Sequence, residues 1–377
     1  MNTAISKNTA FHYVANVIII LSFANSGHTQ PEHYPYTFAE AGHESSISSP
    51  KQPTNAWAIA FENDVLVGGN RDKDYTYGLS LSFRGNMAES FLINPYPMQR
   101  ASENIFWPQD TESQDQGYDF LDEEILSLEF GIYSFTPDDI EIDQVINDDR
   151  PYASLIYLES SKERINPLAN TSWTSSLSIG LLGTNLAGSA QNSVHKITGS
   201  KKANGWRNQI SDGGELTAKY TLARQKIIGQ HSANVEIKTT SQIAIGYLTE
   251  FSYGVSFRLG KIHSAWWGFD PDLASYGERS NNSAFYSKVR EHYAWGGFTL
   301  KYRAYNAFLQ GQFRDSDHQF SSNELNHNLV EAWLGYTLNF NHGYRISYYI
   351  RGHSSEIKKG KGNRNLVWGG LIFSKSL

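Results

Sequence analysis

Gln191 and His195 stand four residues apart in the stretch Gln191-Asn192-Ser193-Val194-His195. If that stretch is helical, the two side chains share one face. A proton acceptor then lies beside an amide that can hold a water or a substrate carbonyl. Imidazole is the side chain best suited to take a proton near neutral pH. Ser189 can cap such a helix and Gly199 can stop it. A second group forms around Asn63 and Asp64, which follow Glu62, and around Asp72, Asp74 and Thr76 a few residues on. A carboxylate, a hydroxyl, main-chain carbonyls and water are the ligands a hard cation such as Ca²⁺ takes. Each group also has a plainer reading: a solvated loop histidine in one case, ordinary rim-loop Asn and Asp in the other.

Other catalytic schemes find little support. The chain has no cysteine to act as a nucleophile. It carries no Gly-x-Ser-x-Gly elbow, no His-Glu-x-x-His zinc pattern and no phosphate-cradling glycine loop. A serine triad stays open, because triads are spatial. Ser193 itself is two residues from His195, and side chains at that spacing do not face each other on a helix.

The elements that must position these residues read as strands. Trp57, Ile59 and Phe61 alternate with Ala58, Ala60 and Glu62; Tyr77, Leu79, Leu81 and Phe83 alternate with Gly78, Ser80 and Ser82. The same period recurs in Leu126–Ile132, Trp173–Leu181, Leu216–Leu222, Phe251–Leu259, Val330–Phe340 and Tyr344–Ile350. One face is apolar and the other small, polar or charged, as in a sandwich strand or a membrane-barrel strand with its small face inward. On this alternation Asp64 shares the interior face of Glu62, and Thr76 that of Gly78 and Ser80. The alternation slips near Ala304–Asn306, which predicts a bulge. No helix shows a sustained apolar stripe at 3.6 spacing. The acidic, Pro-containing stretch Asn86–Glu123 reads as an insertion.

Composition agrees. Of 377 residues, 31 are glycine and 14% are aromatic, whereas only 19% are charged. With a negative mean hydropathy this excludes a bundle of membrane helices and fits a β-barrel. A net charge of −6 gives no reason to expect nucleic acid as a partner. Residues 1–26 read as a secretory signal, with Lys7, an apolar run too short to span a bilayer, and Ala24-Asn25-Ser26 as a cleavage pattern. Residues 27–55 read as a flexible segment and 56–377 as the barrel. The fold class expected is all-β: an antiparallel transmembrane barrel of about twelve strands, with a short helix in an extracellular loop. With the N-terminus on the periplasmic side, the loops Asn63–Tyr75, Thr136–Tyr152 and Thr184–Gly213 all emerge at the outer rim. Asn147-Asp148-Asp149-Arg150-Pro151 reads as structural, an Asp–Arg pair locking a loop to the wall. Trp206 reads as a rim anchor that helps shape a lipid groove.

Taken in order, Asn63-Asp64, Tyr75-Thr76-Tyr77-Gly78, Asp149-Arg150-Pro151-Tyr152-Ala153, Gln191-Asn192-Ser193-Val194-His195, Thr198-Gly199-Ser200, Gly205-Trp206-x-x-Gln209 and Phe313-Arg314-Asp315-Ser316 resemble the lipid A 3′-O-deacylase family of outer-membrane enzymes. The resemblance implies a twelve-stranded barrel in the outer membrane and a calcium-dependent esterase that removes the 3′ acyloxyacyl group of lipid A. It implies His195 as general base and Gln191 as a neighbouring polar contact. It implies Asn63, Asp64 and Thr76 as builders of the metal and oxyanion site, with Asp64 and Thr76 at the Ca²⁺. Lipid A and outer-membrane lipid are the partners it implies. Where an acidic residue is expected a few positions after the histidine, this chain has Lys201 and Lys202; Glu215 and Asp212 are nearby substitutes. Lys196, Lys201, Lys202 and Arg207 are placed to meet lipid A phosphates or to form a solvated basic loop. The alternatives are a non-catalytic outer-membrane barrel (channel or structural protein) and an outer-membrane phospholipase.

Overall fold

The computed structural model describes residues 55–68, 74–106, 125–166, 169–232, 234–278 and 290–377. The expected signal, 1–26, and the segment 27–55 apart from Asn55 lie outside the described residues, as does Asp72. Twelve strands follow in order: β1 Ala56–Asn63, β2 Asp74–Arg84, β3 Ile125–Thr136, β4 Ala153–Asn166, β5 Thr171–Leu182, β6 Glu215–Ser232, β7 Val235–Gly246, β8 Leu248–Lys261, β9 Glu291–Asn306, β10 Asn328–Asn339, β11 Tyr344–His353 and β12 Leu366–Ser376. Each pairs antiparallel with its sequence neighbours, and β1 pairs with β12 to close the barrel. Closure removes the free edges that an open sheet of this size would expose.

The period-2 pattern sets the two faces. In β1, Ala56, Ala58, Ala60 and Glu62 are buried, while Ile59 and Phe61 are 44% and 42% exposed. Leu79, Leu81, Phe130, Phe298, Leu300, Leu338 and Leu371 join them on the outside. A continuous apolar outer band on a closed barrel is the surface that meets lipid. Among the described residues no helix is long and apolar enough to cross a membrane.

The interior is lined as expected by the small, polar or charged strand faces, Ser80, Ser82, Ser252, Ser256 and Arg258 all being buried, but it is fuller than that lining alone. It is packed with aromatic and charged side chains, including fully buried Trp295, Trp368, Tyr75, Tyr133, Phe135 and Arg345. Small residues make room for the large ones: a Cβ on Gly131 would sit 2.4 Å from the Tyr157 ring. The remaining space is taken by the segment after β8. It starts at the barrel end where β1 begins and β12 ends, since antiparallel strands alternate in direction. Phe269 packs edge-on against Trp295 near that end, and Asp272 accepts from Gln225 Nε2 at 2.8 Å. Further in, Tyr276 stacks on Tyr75 and lies 6.2 Å from the Trp368 ring. Glu278 gathers the hydroxyls of Tyr133 and Tyr247 and the ammonium of Lys219.

Among the described residues, two helices of more than two turns lie outside the barrel. The 86–123 insertion contains α1, Tyr96–Phe106. Gln99 on α1 donates to the Ser175 carbonyl at 2.9 Å and accepts from Ser160 Oγ at 2.7 Å, and Glu103 pairs with Lys162. These polar bonds tie the helix to β4 and β5. The second, α2, spans Asn185–Thr198 in the loop between β5 and β6. The predicted bulge is present: Thr249 pairs with Tyr305 and Glu250 with Arg303, leaving Ala304 as the extra residue.

Candidate functional site

The chain enters α2 through Thr184 in extended backbone and leaves it through Gly199 at φ 73°. Only a residue that tolerates the left-handed region closes the helix this way, and Gly does so without strain. Ser189 is not the cap: its hydroxyl sits inside the helix and donates to the Asn185 carbonyl at 3.0 Å. Ala187, Gly188, Gln191 and His195 form the buried face. Gln191 and His195 therefore share one side, as their spacing requires.

That face is seated on the outer wall. Tyr77 donates from its hydroxyl to the Ala187 carbonyl at 3.0 Å, and Ile132 packs in the same cluster. Trp206 supports the same face of the helix. Its ring lies 5.0 Å from Tyr152, and its Nε1 donates to Gln191 Oε1 at 2.7 Å. Only 7% of Trp206 is exposed, so it is a pillar beneath α2 and not the rim anchor expected. A Cβ on Gly188 would come within 2.6 Å of the indole, which is why a glycine stands there.

His195 Nδ1 contacts the main-chain carbonyl of Lys201. A carbonyl oxygen only accepts, so Nδ1 carries the proton and Nε2 is the basic nitrogen. The acidic residue expected after the histidine is thus replaced by a peptide oxygen. The Lys201 side chain points elsewhere and pairs with Glu141, whose hydrogen bond and charge hold the ammonium above the usual lysine range. Arg207 pairs with Asp143 at 3.3 Å. The two acids considered as substitutes are engaged in the loop itself. Asp212 accepts from Gln209 at 2.9 Å, and Glu215 accepts from the Phe313 N–H at 2.7 Å.

The second group sits where β1 ends. Asn63 caps the short 3-10 turn Asp64–Val67, accepting from the Val65 N–H at 2.7 Å, while its Nδ2 donates to the Thr76 carbonyl at 2.5 Å. Both ends of the Asn63 amide tie the turn to β2. Asp64 opens the turn and is 5% exposed. Thr76 departs from the expected interior position. The pairing of β2 with β3 shifts between Tyr75 and Tyr77, so Thr76 is the extra residue of a bulge. Tyr75 takes the interior, donating to Glu62 Oε2 at 2.5 Å. The Thr76 hydroxyl meets Thr136 Oγ1 at 2.8 Å, on the strand face shared with Ile132 and lipid-facing Phe130. A bulge re-aims side chains in this way.

Asn63, Thr76 and Thr136 are thus joined directly, and Tyr77, next to Thr76, joins them to the start of α2. His195 lies two turns farther along that helix, about 12 Å from Ala187 at the ordinary helical rise. Spacing alone does not single out Tyr77 or Thr136; the alternation places Tyr77 only on the outward strand face. Arg364 had no sequence signal at all. Its Nε donates to both Asp74 carboxylate oxygens at 2.8 Å and its NH1 to Asp149 Oδ1 at 2.7 Å. It clamps the start of β2, two residues from Thr76, to the loop before β4. Arg150 pairs with Glu356 instead of its neighbour Asp149, so that motif is structural as expected but with a different partner. Burial opposes ionisation of Glu356, yet Arg150 and Arg303 hold its carboxyl well below the usual range.

A model of the family described as Outer membrane protein LpxR matches residues 20–377. Among solved structures, LpxR from Salmonella typhimurium aligns with a TM-score of 0.63 at 15% identity, covering 85% of this chain and 100% of that one. At that identity the likeness is one of fold. The beta domain of the Bordetella autotransporter BrkA aligns at a TM-score of 0.39 and 8% identity, over 86% of this chain and 100% of that one. No curated protein sequence matches the chain. With a family match over nearly its whole length and a closed twelve-stranded barrel girdled by apolar side chains, the chain belongs to the LpxR family of outer membrane proteins and crosses that membrane many times.

Proposed function

We propose that the protein is a carboxylic ester hydrolase that removes the 3′-linked acyloxyacyl chain of lipid A. The observation that carries this reading is the contact of His195 Nδ1 with the Lys201 carbonyl, which leaves Nε2 as a base on the buried face of a helix docked against the lipid-facing wall. In the reaction Nε2 takes a proton from water as the water oxygen attacks the ester carbonyl. The oxyanion collapses, the C–O bond to the sugar breaks, and the sugar oxygen receives the proton from Nε2. No covalent acyl-enzyme is needed. Gln191, oriented by the Trp206 indole, positions His195 and the water. Asn63 holds the Asp64 turn against Thr76.

Calcium is part of this proposal. Among the described residues no three His, Asp or Glu side chains gather into a metal cluster. The donors on offer at the turn are a buried carboxylate, Asp64, and the hydroxyl of Thr76, all hard oxygens suited to Ca²⁺ with water completing the shell. Asp64 and Thr76 would hold the cation, which would supply Lewis-acid stabilisation of the ester oxyanion.

The filled lumen speaks against the channel alternative, since aromatic rings and the segment through Tyr276 occupy the path an ion would take. Mass spectrometry of lipid A from cells with and without the protein tests the reading. Loss of one acyloxyacyl chain is expected with the parent and not with His195→Ala. Unchanged lipid A in calcium-replete membranes, with or without altered phospholipid, sinks it.

A further inference from the structure

The buried face of α2 is accounted for by Tyr77, Ile132 and Trp206. The side flanking it is not polar, as it would be on a helix standing in water. Leu186 is 63% exposed, Val194 56% and Ile197 86%, and Ala190 lies exposed on the same line. Their spacing of four, four and three residues makes one stripe along the helix. Singly exposed apolar residues are ordinary, but an aligned row is a contact surface.

What covers the stripe follows from where the helix sits. Tyr77 and Ile132, on which α2 docks, stand on the same strand faces as Leu79, Leu81 and Phe130, which belong to the lipid-facing band. The helix starts three residues after β5, whose Leu181 pairs across to Leu216 on β6. That pair is 46% and 67% exposed, so the apolar band runs up to the rim from which α2 departs. At the far end of α2 the chain turns basic, with Lys196 and Lys202 both exposed. An apolar stripe flanked by lysines is the pattern of a helix lying in a membrane interface.

We infer that α2 is an interfacial helix whose Leu186–Val194–Ile197 stripe is seated among the acyl chains of the leaflet around the barrel, with Lys196 and Lys202 at the level of its phosphates. The helix that carries His195 then rides on the bilayer itself. This rests on the placement of the chain in the outer membrane and not on the esterase reading.

The absence of cysteine makes the test direct. In the full chain, Val194→Cys, Ile197→Cys and Ser189→Cys are each labelled with nitrobenzoxadiazole and reconstituted into phosphatidylcholine–phosphatidylglycerol vesicles. Barrel folding is checked for each by gel mobility without heating. Probes at 194 and 197 are expected to emit to the blue of the probe at 189. They should be quenched severalfold more by spin-labelled phosphatidylcholine, and severalfold less by aqueous iodide. Equal iodide access at all three positions, or no preference for the lipid quencher at 194 and 197, overturns the inference. Loss of esterase activity in any of these proteins leaves the readout intact.

Discussion

The ring of His195 is held by the peptide oxygen of Lys201, six residues along the chain and just past the Gly199 helix stop. Lys201, standing where an acidic residue was expected, therefore supplies the orientation through its main chain, and its side chain is free to pair with Glu141 at the surface.

Lys201→Ala is accordingly expected to keep most of the activity, because the carbonyl remains. His195→Ala is expected to lose about 100- to 10,000-fold, the usual contribution of a positioned acid–base group. Rates on purified lipid A, read by mass spectrometry, compare the two. Equal losses in both variants refute a main-chain role.

Calcium is expected to act through Asp64. Chelation should abolish hydrolysis and added Ca²⁺ should restore it. Calcium should also raise the thermal midpoint of the parent barrel in detergent but not that of Asp64→Asn, since a ligand that binds only the folded state stabilises it. A calcium shift of equal size in both proteins removes Asp64 from the metal site.

Gly188→Ala places a methyl within 2.6 Å of the Trp206 ring. Overpacking of this kind costs about 1–3 kcal/mol. Moving Trp206 also releases its bond to Gln191, so activity should fall while the strand signal in circular dichroism is unchanged. Full activity in this variant shows that the Gln191–Trp206 bond does not position His195.

Glu356 links Arg150 and Arg303 at the rim. Its folded value lies below its unfolded one, so its contribution is fully present above the ordinary carboxylate range and is lost as pH falls through the depressed folded value. Glu356→Gln should destabilise the barrel by about 3–5 kcal/mol, the usual effect of breaking a buried pair. That difference should be constant from about pH 5 to 8 and shrink only in stronger acid. Unfolding at a series of pH values measures it; a difference that shrinks already at neutral pH contradicts the pairing.

The sequence by itself determined the barrel. Strict alternation in stretches such as Trp57–Phe61 and Tyr77–Phe83 leaves one face for lipid and one for the interior, and no other closed arrangement satisfies so many strands in a membrane. It also determined the helix stop at Gly199 and the shared face of Gln191 and His195, because both follow from local geometry. The tertiary structure decided the rest. Thr76 turns toward Thr136 because an extra residue in β2 reverses the parity there, and period counting sees a bulge only when the apolar pattern itself slips, as at Ala304 but not at Thr76. The partner of His195 is a main-chain oxygen, which every residue carries, so no side-chain pattern announces it. Trp206 becomes a pillar and Arg364 a clamp through contacts across loops distant in the chain. The lumen is filled because a segment after β8 folds back into it, and nothing local distinguishes that segment from a turn that stays outside.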